Sequence, residues 1–288
     1  MGTLRYSAEG AITRGLSPAI WQAYGFIGGN FVDPSLIPFF FDDFAAMPKM
    51  ASATAQGGYY TYQDSGVTIQ GCAAADNSEG EFGVLEITGN DADNDEGHIE
   101  LGAGVHGLVR LDLTAGERCV VAWEARIKRT SVTDDHTAFA FGIGEPAFCA
   151  AEGLVDNTGA MVAAGKDFIG FQSLCASNEE IDAIYTIGGT GTVNQVTDNA
   201  GTAVADTWQK YGCIFDPREA SGKKLKYFID GVEISYTTAV TDAVIAAGTA
   251  FPTDEEMTLV LLTKNGDAAT TAHGTFMDWW AIGSYLVD

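Results

Sequence analysis

The run Cys119-Val120-Val121-Ala122-Trp123-Glu124-Ala125-Arg126-Ile127-Lys128 decides the fold class. Cys119, Val121, Trp123, Ala125 and Ile127 fall on one side of a period of two, and Glu124, Arg126 and Lys128 on the other. Successive side chains of an extended chain point to opposite faces, so the run reads as a half-buried β-strand. The same rule finds strands around it. Phe139, Phe141 and Ile143 alternate with Ala138, Ala140 and Gly142; residues 208–215 are aromatic and β-branched; residues 257–263 form a continuous apolar run. Strands over 225–230 and 232–236 meet so closely around Asp230-Gly231 that a tight hairpin is the natural connection. Turn-rich stretches such as Asp156-Asn157-Thr158-Gly159 and Asn265-Gly266-Asp267 separate the strands, and only residues 242–248 offer a short helix among them. With no internal repeat and no low-complexity linker, the pattern is that of one all-β sandwich.

The chain has 288 residues, with 39 Asp plus Glu against 15 Lys plus Arg and a formal charge of -24. Phosphate affinity comes mainly from clustered basic residues, so a nucleic-acid partner is excluded, and an anionic membrane surface is disfavoured for the same reason. No run approaches the roughly 18–20 apolar residues of a membrane span, and residues 1–10 lack a basic segment followed by an apolar core, so secretion by the standard route is not expected. A chain that is 46% hydrophobic and 19% charged can fill a sizeable core. Cys72, Cys119, Cys149, Cys175 and Cys213 form an odd set without CxxC spacing, which predicts free, mostly buried thiols.

Residues 1–41 differ from the rest. Clusters such as Ile37-Pro38-Phe39-Phe40-Phe41 sit among Pro and Gly without period-two alternation, which suggests an extended arm. One short helix is expected inside it, with Ser17 as cap, Pro18 in the first turn and Gly25 after Tyr24. The arm holds only Glu9 and Asp33 as acids, beside Arg5 and Arg14, and is therefore close to neutral. It either covers the chain's own sheet or holds another subunit. In the second case Trp21, Tyr24, Phe26, Phe31, Ile37, Phe39, Phe40 and Phe41 are the expected anchors, because buried aromatics dominate interface energy.

Two segments carry a resemblance. Asp206-Thr207-Trp208-Gln209-Lys210-Tyr211-Gly212-Cys213-Ile214-Phe215, followed by Lys224-Leu225-Lys226-Tyr227-Phe228-Ile229-Asp230-Gly231, resembles the laminin-G-like members of the concanavalin A-like lectin and glucanase superfamily. The closing run Phe276-Met277-Asp278-Trp279-Trp280-Ala281-Ile282-Gly283 and the Asp42-Asp43-Phe44 start are similar to it as well. The resemblance implies a jelly-roll β-sandwich over 42–288, in which Trp208 plugs a corner. Lectins, glycosidases and structural modules share that fold, so function has to come from sites. The arm, the acidity, the missing secretion signal and the closing strand together also resemble the jelly-roll decoration or cement proteins of tailed-phage capsids. That likeness implies a protein made in the host cytoplasm and carried on the virion surface, bound to the major capsid protein or another virion protein, and itself homo-oligomeric.

Glucanases of this superfamily carry two glutamates on one strand in a pattern like Glu-Ile-Asp-x-x-Glu. Here the run is Glu180-Ile181-Asp182-Ala183-Ile184-Tyr185, with Tyr at the second catalytic position. Glycoside hydrolysis normally needs two carboxyl groups, and Glu179, adjacent to Glu180, faces the other way along a strand. A non-enzymatic protein is expected. Asp91, Asp93 and Asp95 in Asn90-Asp91-Ala92-Asp93-Asn94-Asp95-Glu96-Gly97 form the best candidate Ca²⁺ site, with spacing that departs from an EF-hand loop, and a solvated acidic turn is the alternative; Asp134-Asp135-His136 is a weaker second candidate that reads better as a loop between strands. His98, His106, His136 and His273 show no zinc spacing, though His98 and His106 could meet across a hairpin. Of the pairs Tyr59-Tyr60 and Trp279-Trp280, alternation leaves at most one ring each for a sugar. The leading expectation is a virion structural protein attached through its arm; the alternative is a carbohydrate-binding, lectin-like module with a glycan as partner, and a glycoside hydrolase of the glucanase type comes last.

Overall fold

The computed structural model describes residues 15–23, 39–45, 50, 54–56, 58–71, 83–89, 94–102, 104, 106–134, 136–150, 166–174, 176–188, 193–253, 255–266 and 273–287. A short helix α1 (Pro18–Trp21) precedes β1 (Phe39–Asp42), β2 (Thr54–Gln56), β3 (Tyr59–Gln63), β4 (Thr68–Gly71), β5 (Leu85–Thr88) and β6 (Glu96–Leu101). Then come β7 (Val109–Arg110), β8 (Cys119–Arg129), β9 (Thr137–Gly144), β10 (Phe168–Leu174), β11 (Ser177–Thr186) and β12 (Val193–Thr202). The chain continues through β13 (Gln209–Phe215), β14 (Leu225–Ile229), β15 (Val232–Glu233), a second short helix α2 (Asp242–Ile245), β16 (Glu256–Asn265) and β17 (Gly274–Leu286).

These strands form two antiparallel sheets. The first runs β15-β14-β13-β8-β17-β5-β4, with β1 joining β17 on the same edge as β5; the second runs β12-β11-β10-β9-β16-β6-β3-β2, with β7 on β16. Between them lies the main core. Val121, Trp123, Ala125 and Ile127 of β8 meet Phe139, Phe141 and Ile143 of β9, Phe171 of β10, Leu259 and Leu261 of β16, and Trp280 of β17. Each large apolar side chain so buried contributes about 1.5–3 kcal/mol. This is the expected all-β jelly-roll sandwich.

The other face of β8 is not solvent-facing, as simple alternation suggests. Val120, Ala122 and Glu124 are fully buried and Arg126 nearly so. Helix α1 lies on them, and Leu16, Ile20 and Trp21 pack with Val120, Ala122, Ile214, Phe228, Trp279 and Ala281 in a second apolar cluster. Gly212 makes room for it, since a Cβ there would stand 2.5 Å from Ile20 Cδ1. The Ser17 side chain makes no capping bond; instead its backbone N–H donates to Glu124. The helix ends at Trp21, earlier than expected, and Tyr24 and Gly25 lie outside the described residues. Both described pieces of the expected 1–41 arm thus belong to the sandwich, one as α1 and one as β1.

The Asp230-Gly231 hairpin forms as expected. Asp230 and Gly231 both take positive φ, 51° and 75°, the requirement of a type I′ turn. In β17 a bulge between Met277 and Trp279 inserts Asp278. It lets Met277 and Trp280 both face the inter-sheet core while Trp279 turns to the α1 side.

Candidate functional site

On β11, Ile181, Ala183 and Tyr185 point into the main core, whereas Ile184 belongs to a cluster on the outer face of the second sheet. The Tyr185 ring is 5.2 Å from Phe251, and burial raises its phenol above the usual range. A carboxylate at position 185 would therefore sit between the sheets. Asp182, on the outer face, accepts the Asn199 backbone N–H at 3.0 Å and the Gln172 amide at 3.3 Å, and Glu180 accepts from the Asn199 side chain at 3.3 Å. The strand presents no second carboxyl at the glucanase position.

The outer face of the second sheet is closed along its middle. Register aligns Tyr60, Glu100, Val260, Gly142, Gly170 and Ile184 in one row. The next row holds Tyr62, His98, Leu262, Ala140, Gln172 and Asp182. His98, Glu100, Ala140, Gln172 and Leu262 are all fully buried. A turn at Phe148–Ala150 covers part of this face, with Phe148 packing among Ala138, Ala140, Phe168, Val260 and Leu262. Glu100 accepts the Ala147 and Cys149 N–H groups at 2.8 and 3.1 Å; burial still raises its carboxyl, against the pull of those donors and of Lys166. Glu96 holds His98 Nε2 at 2.8 Å and Lys264 Nζ at 3.4 Å. The two buried carboxylates here are taken up by neighbouring donors of the same chain.

Of the expected anchors, Trp21 is spent on the chain's own sheet at 1% exposure. Phe40 packs on the main core, and Phe39 and Phe41 remain 41% and 36% exposed beside Trp21 and Trp279. Tyr24, Phe26, Phe31 and Ile37 lie outside the described residues, as do Asp91 and Asp93 of the candidate Ca²⁺ loop. Asp95 is half-buried and its carbonyl accepts the Asn265 N–H. Among the described residues no three His, Cys, Asp or Glu side chains are grouped to hold a metal. His98 pairs with Glu96, not with His106, while His136 and His273 stack at 4.4 Å, a contact their separation in sequence hides. Cys119, Cys149 and Cys213 are free thiols, the last two buried.

The outer face of the first sheet carries a group that the sequence reading missed. Gln70 of β4, Glu86 of β5, Phe276 of β17 and Lys128 of β8 are successive cross-strand partners, and Trp208 stands just before β13 at the same level. All five are half-buried. At one strand spacing per step, the row is roughly 19 Å long. Lys128 Nζ lies 4.9 Å from the centre of the Trp208 ring and 5.3 Å from that of Phe276, and the Arg126 guanidinium lies 4.6 Å from Trp208. Arg126 is in turn paired with Asp278. Trp208 therefore does not plug a corner of the sandwich; Trp123 and Trp280 fill the core instead, and Trp208 stands half-buried on the outside with two cations near its ring. The visible signal was Lys128 two residues beyond Arg126 on the polar side of β8, but the pairing register was needed to bring Phe276 and Trp208 to it.

No protein-family model matches the chain, and no curated protein does. Solved structures do. The endo-1,3-beta-glucanase of Streptomyces sioyaensis is 15% identical, with a TM-score of 0.52 over 89% of this chain and 99% of that one. Peanut lectin is 14% identical, with a TM-score of 0.52 over 88% and 99%. A protein of unknown function from Shewanella oneidensis MR-1 is 12% identical, with a TM-score of 0.52 over 86% of each chain. The fold is thus the concanavalin A-like jelly roll of lectins and glucanases, almost without helix.

Proposed function

We propose that the chain is a non-catalytic, lectin-like module that binds carbohydrate. The observation that carries this reading is the row Gln70, Glu86, Phe276, Lys128 and Trp208: two half-exposed rings for stacking, flanked by an amide, a carboxylate and an ammonium for hydroxyl groups. Sugar sites combine an apolar or aromatic floor with a few placed polar groups, and this row has both. The shared fold with peanut lectin supports it, and so does Tyr185, which stands at the second glucanase position and points into the core. The test is a glycan array followed by titration of the hits against the wild-type protein, Trp208→Ala and Phe276→Ala. Each variant is expected to lose about tenfold in affinity, near 1.4 kcal/mol, while staying folded. Failure of the folded wild-type protein to bind any glycan would sink the reading.

A second reading has one observation in its favour. Phe39 and Phe41 are exposed on a strand that, among the described residues, pairs only with β17, in a segment far less acidic than the rest of a chain of charge -24. Such a strip suits attachment to a capsid protein of a phage-like virion. A folded Phe39→Ser/Phe41→Ser double variant is expected to detach from such particles; retained binding argues against this second reading.

A further inference from the structure

We infer that the outer-face row is specific for a saccharide bearing an isolated carboxylate on an otherwise neutral chain, and that Lys128 reads that carboxylate. The inference rests on the saccharide-binding reading of the same row and adds the class of sugar.

Lys128 is half-buried, with its ammonium lying against both the Trp208 and Phe276 rings, and among the described residues no carboxylate stands within ion-pair distance of it. Buried Arg126 is paired with Asp278, and half-buried Lys166 and Lys226 with Glu145 and Glu219. An ammonium between two rings is partly stripped of water, which strengthens its pull on an incoming anion. The nearest acid in the row is Glu86, which stands beyond Phe276 and is bonded to the Gln70 amide at 3.4 Å. The row is thus polarised. A sugar ring on Phe276 would place an acidic substituent toward Lys128 and hydroxyl groups toward Glu86 and Gln70, with the opposite orientation penalised by Glu86.

The charge of -24 sets the other limit. It repels a polyanion as a whole, whereas a single carboxylate meeting Lys128 at contact distance gains the local attraction, because the protein's distant acids are screened beyond about 8 Å at physiological salt. The row should therefore prefer one uronic or sialic residue in a neutral oligosaccharide to either a fully neutral chain or a polyuronate.

The test is calorimetric titration with three probes: a neutral tetrasaccharide, the same tetrasaccharide with one glucuronate, and polygalacturonate. Wild-type protein, Lys128→Gln and Lys128→Arg are compared. The wild type is expected to bind the glucuronate-bearing probe about tenfold more tightly than the neutral one at physiological salt, with the advantage shrinking as salt rises further. Lys128→Gln is expected to abolish that advantage, so that the variant binds the acidic and the neutral probe alike, and Lys128→Arg to keep it. Equal wild-type affinity for the neutral and acidic probes, an advantage that survives Lys128→Gln, or tighter binding of polygalacturonate would overturn the inference while leaving saccharide binding intact. No binding of any probe by the folded wild type would overturn both.

Discussion

The indole N–H of Trp21 donates to Glu124 Oε2 at 2.7 Å, and the backbone N–H of Ser17 donates to the same oxygen at 2.9 Å, with Glu124 fully buried in the middle of the first sheet. A carboxylate on a strand's polar side is thereby covered by a segment about a hundred residues earlier, and the first sheet becomes two-sided at this point. The arrangement converts residues that look like a free arm into part of the fold.

Trp21→Phe keeps most of the packing but removes the indole donor, leaving buried Glu124 short of a partner. A loss of about 1–3 kcal/mol is expected. Trp21→Ala adds the cavity and should lose about 3–5 kcal/mol. Urea denaturation of the two variants separates the two contributions; a Trp21→Phe variant as stable as the wild type would show that the hydrogen bond contributes nothing.

Burial raises the Glu124 carboxyl above its ordinary value, against the lowering effect of Ser17, Lys210 and Trp21. A raised folded-state pKa means that the folded chain holds this proton more tightly than the unfolded one. Its contribution is fully present below the unfolded carboxyl pKa and is lost as pH rises through the folded one. Glu124→Gln, which cannot ionise, should therefore gain relative to wild type as pH rises from 4 toward neutrality, within about 1–2 kcal/mol. Thermal melts of both proteins across that range test the sign.

Arg126 is nearly buried and pairs with Asp278, the residue that the β17 bulge inserts. Removing one member of a buried pair leaves an uncompensated charge, so Asp278→Ala is expected to lose about 3 kcal/mol. Because the Arg126 guanidinium lies over Trp208, the emission of that tryptophan should shift in the same variant. An unchanged melting curve would show that Arg126 finds other support.

Tyr185→Glu restores the glucanase spelling without restoring its geometry. The new carboxylate would enter the core beside Phe251, with an expected loss of several kcal/mol and no turnover of β-glucans. Measurable hydrolysis by this variant would refute the placement of position 185.

At the hairpin, Gly231 has φ of 75°, and a Cβ there would stand 2.9 Å from Ser17 Oγ. Gly231→Ala should lose about 1–2 kcal/mol from the backbone alone and disturb the seat of α1 as well. Hydrogen exchange at Ile20 and Trp21 reads the second effect: protection there equal to wild type would separate the hairpin from the helix.

The sequence alone determined the sandwich, because strand periodicity and turn chemistry are local properties. The alternation of Val121, Trp123, Ala125 and Ile127, the apolar run ending at Leu262, and the Asp230-Gly231 turn all lie within a few residues of chain. The mismatch at Tyr185 was legible for the same reason. What covers each face was not, because coverage depends on residues far apart in the chain. Glu124, Arg126 and Lys128 have the same local pattern, yet Glu124 lies under α1, Arg126 is paired with a bulge residue, and Lys128 stands between two rings. Only the tertiary structure decided those three fates, and with them which part of the surface is left to bind: antiparallel register brings β4, β5, β17 and β8 side by side, and no periodicity in the chain encodes which strand becomes the neighbour of which.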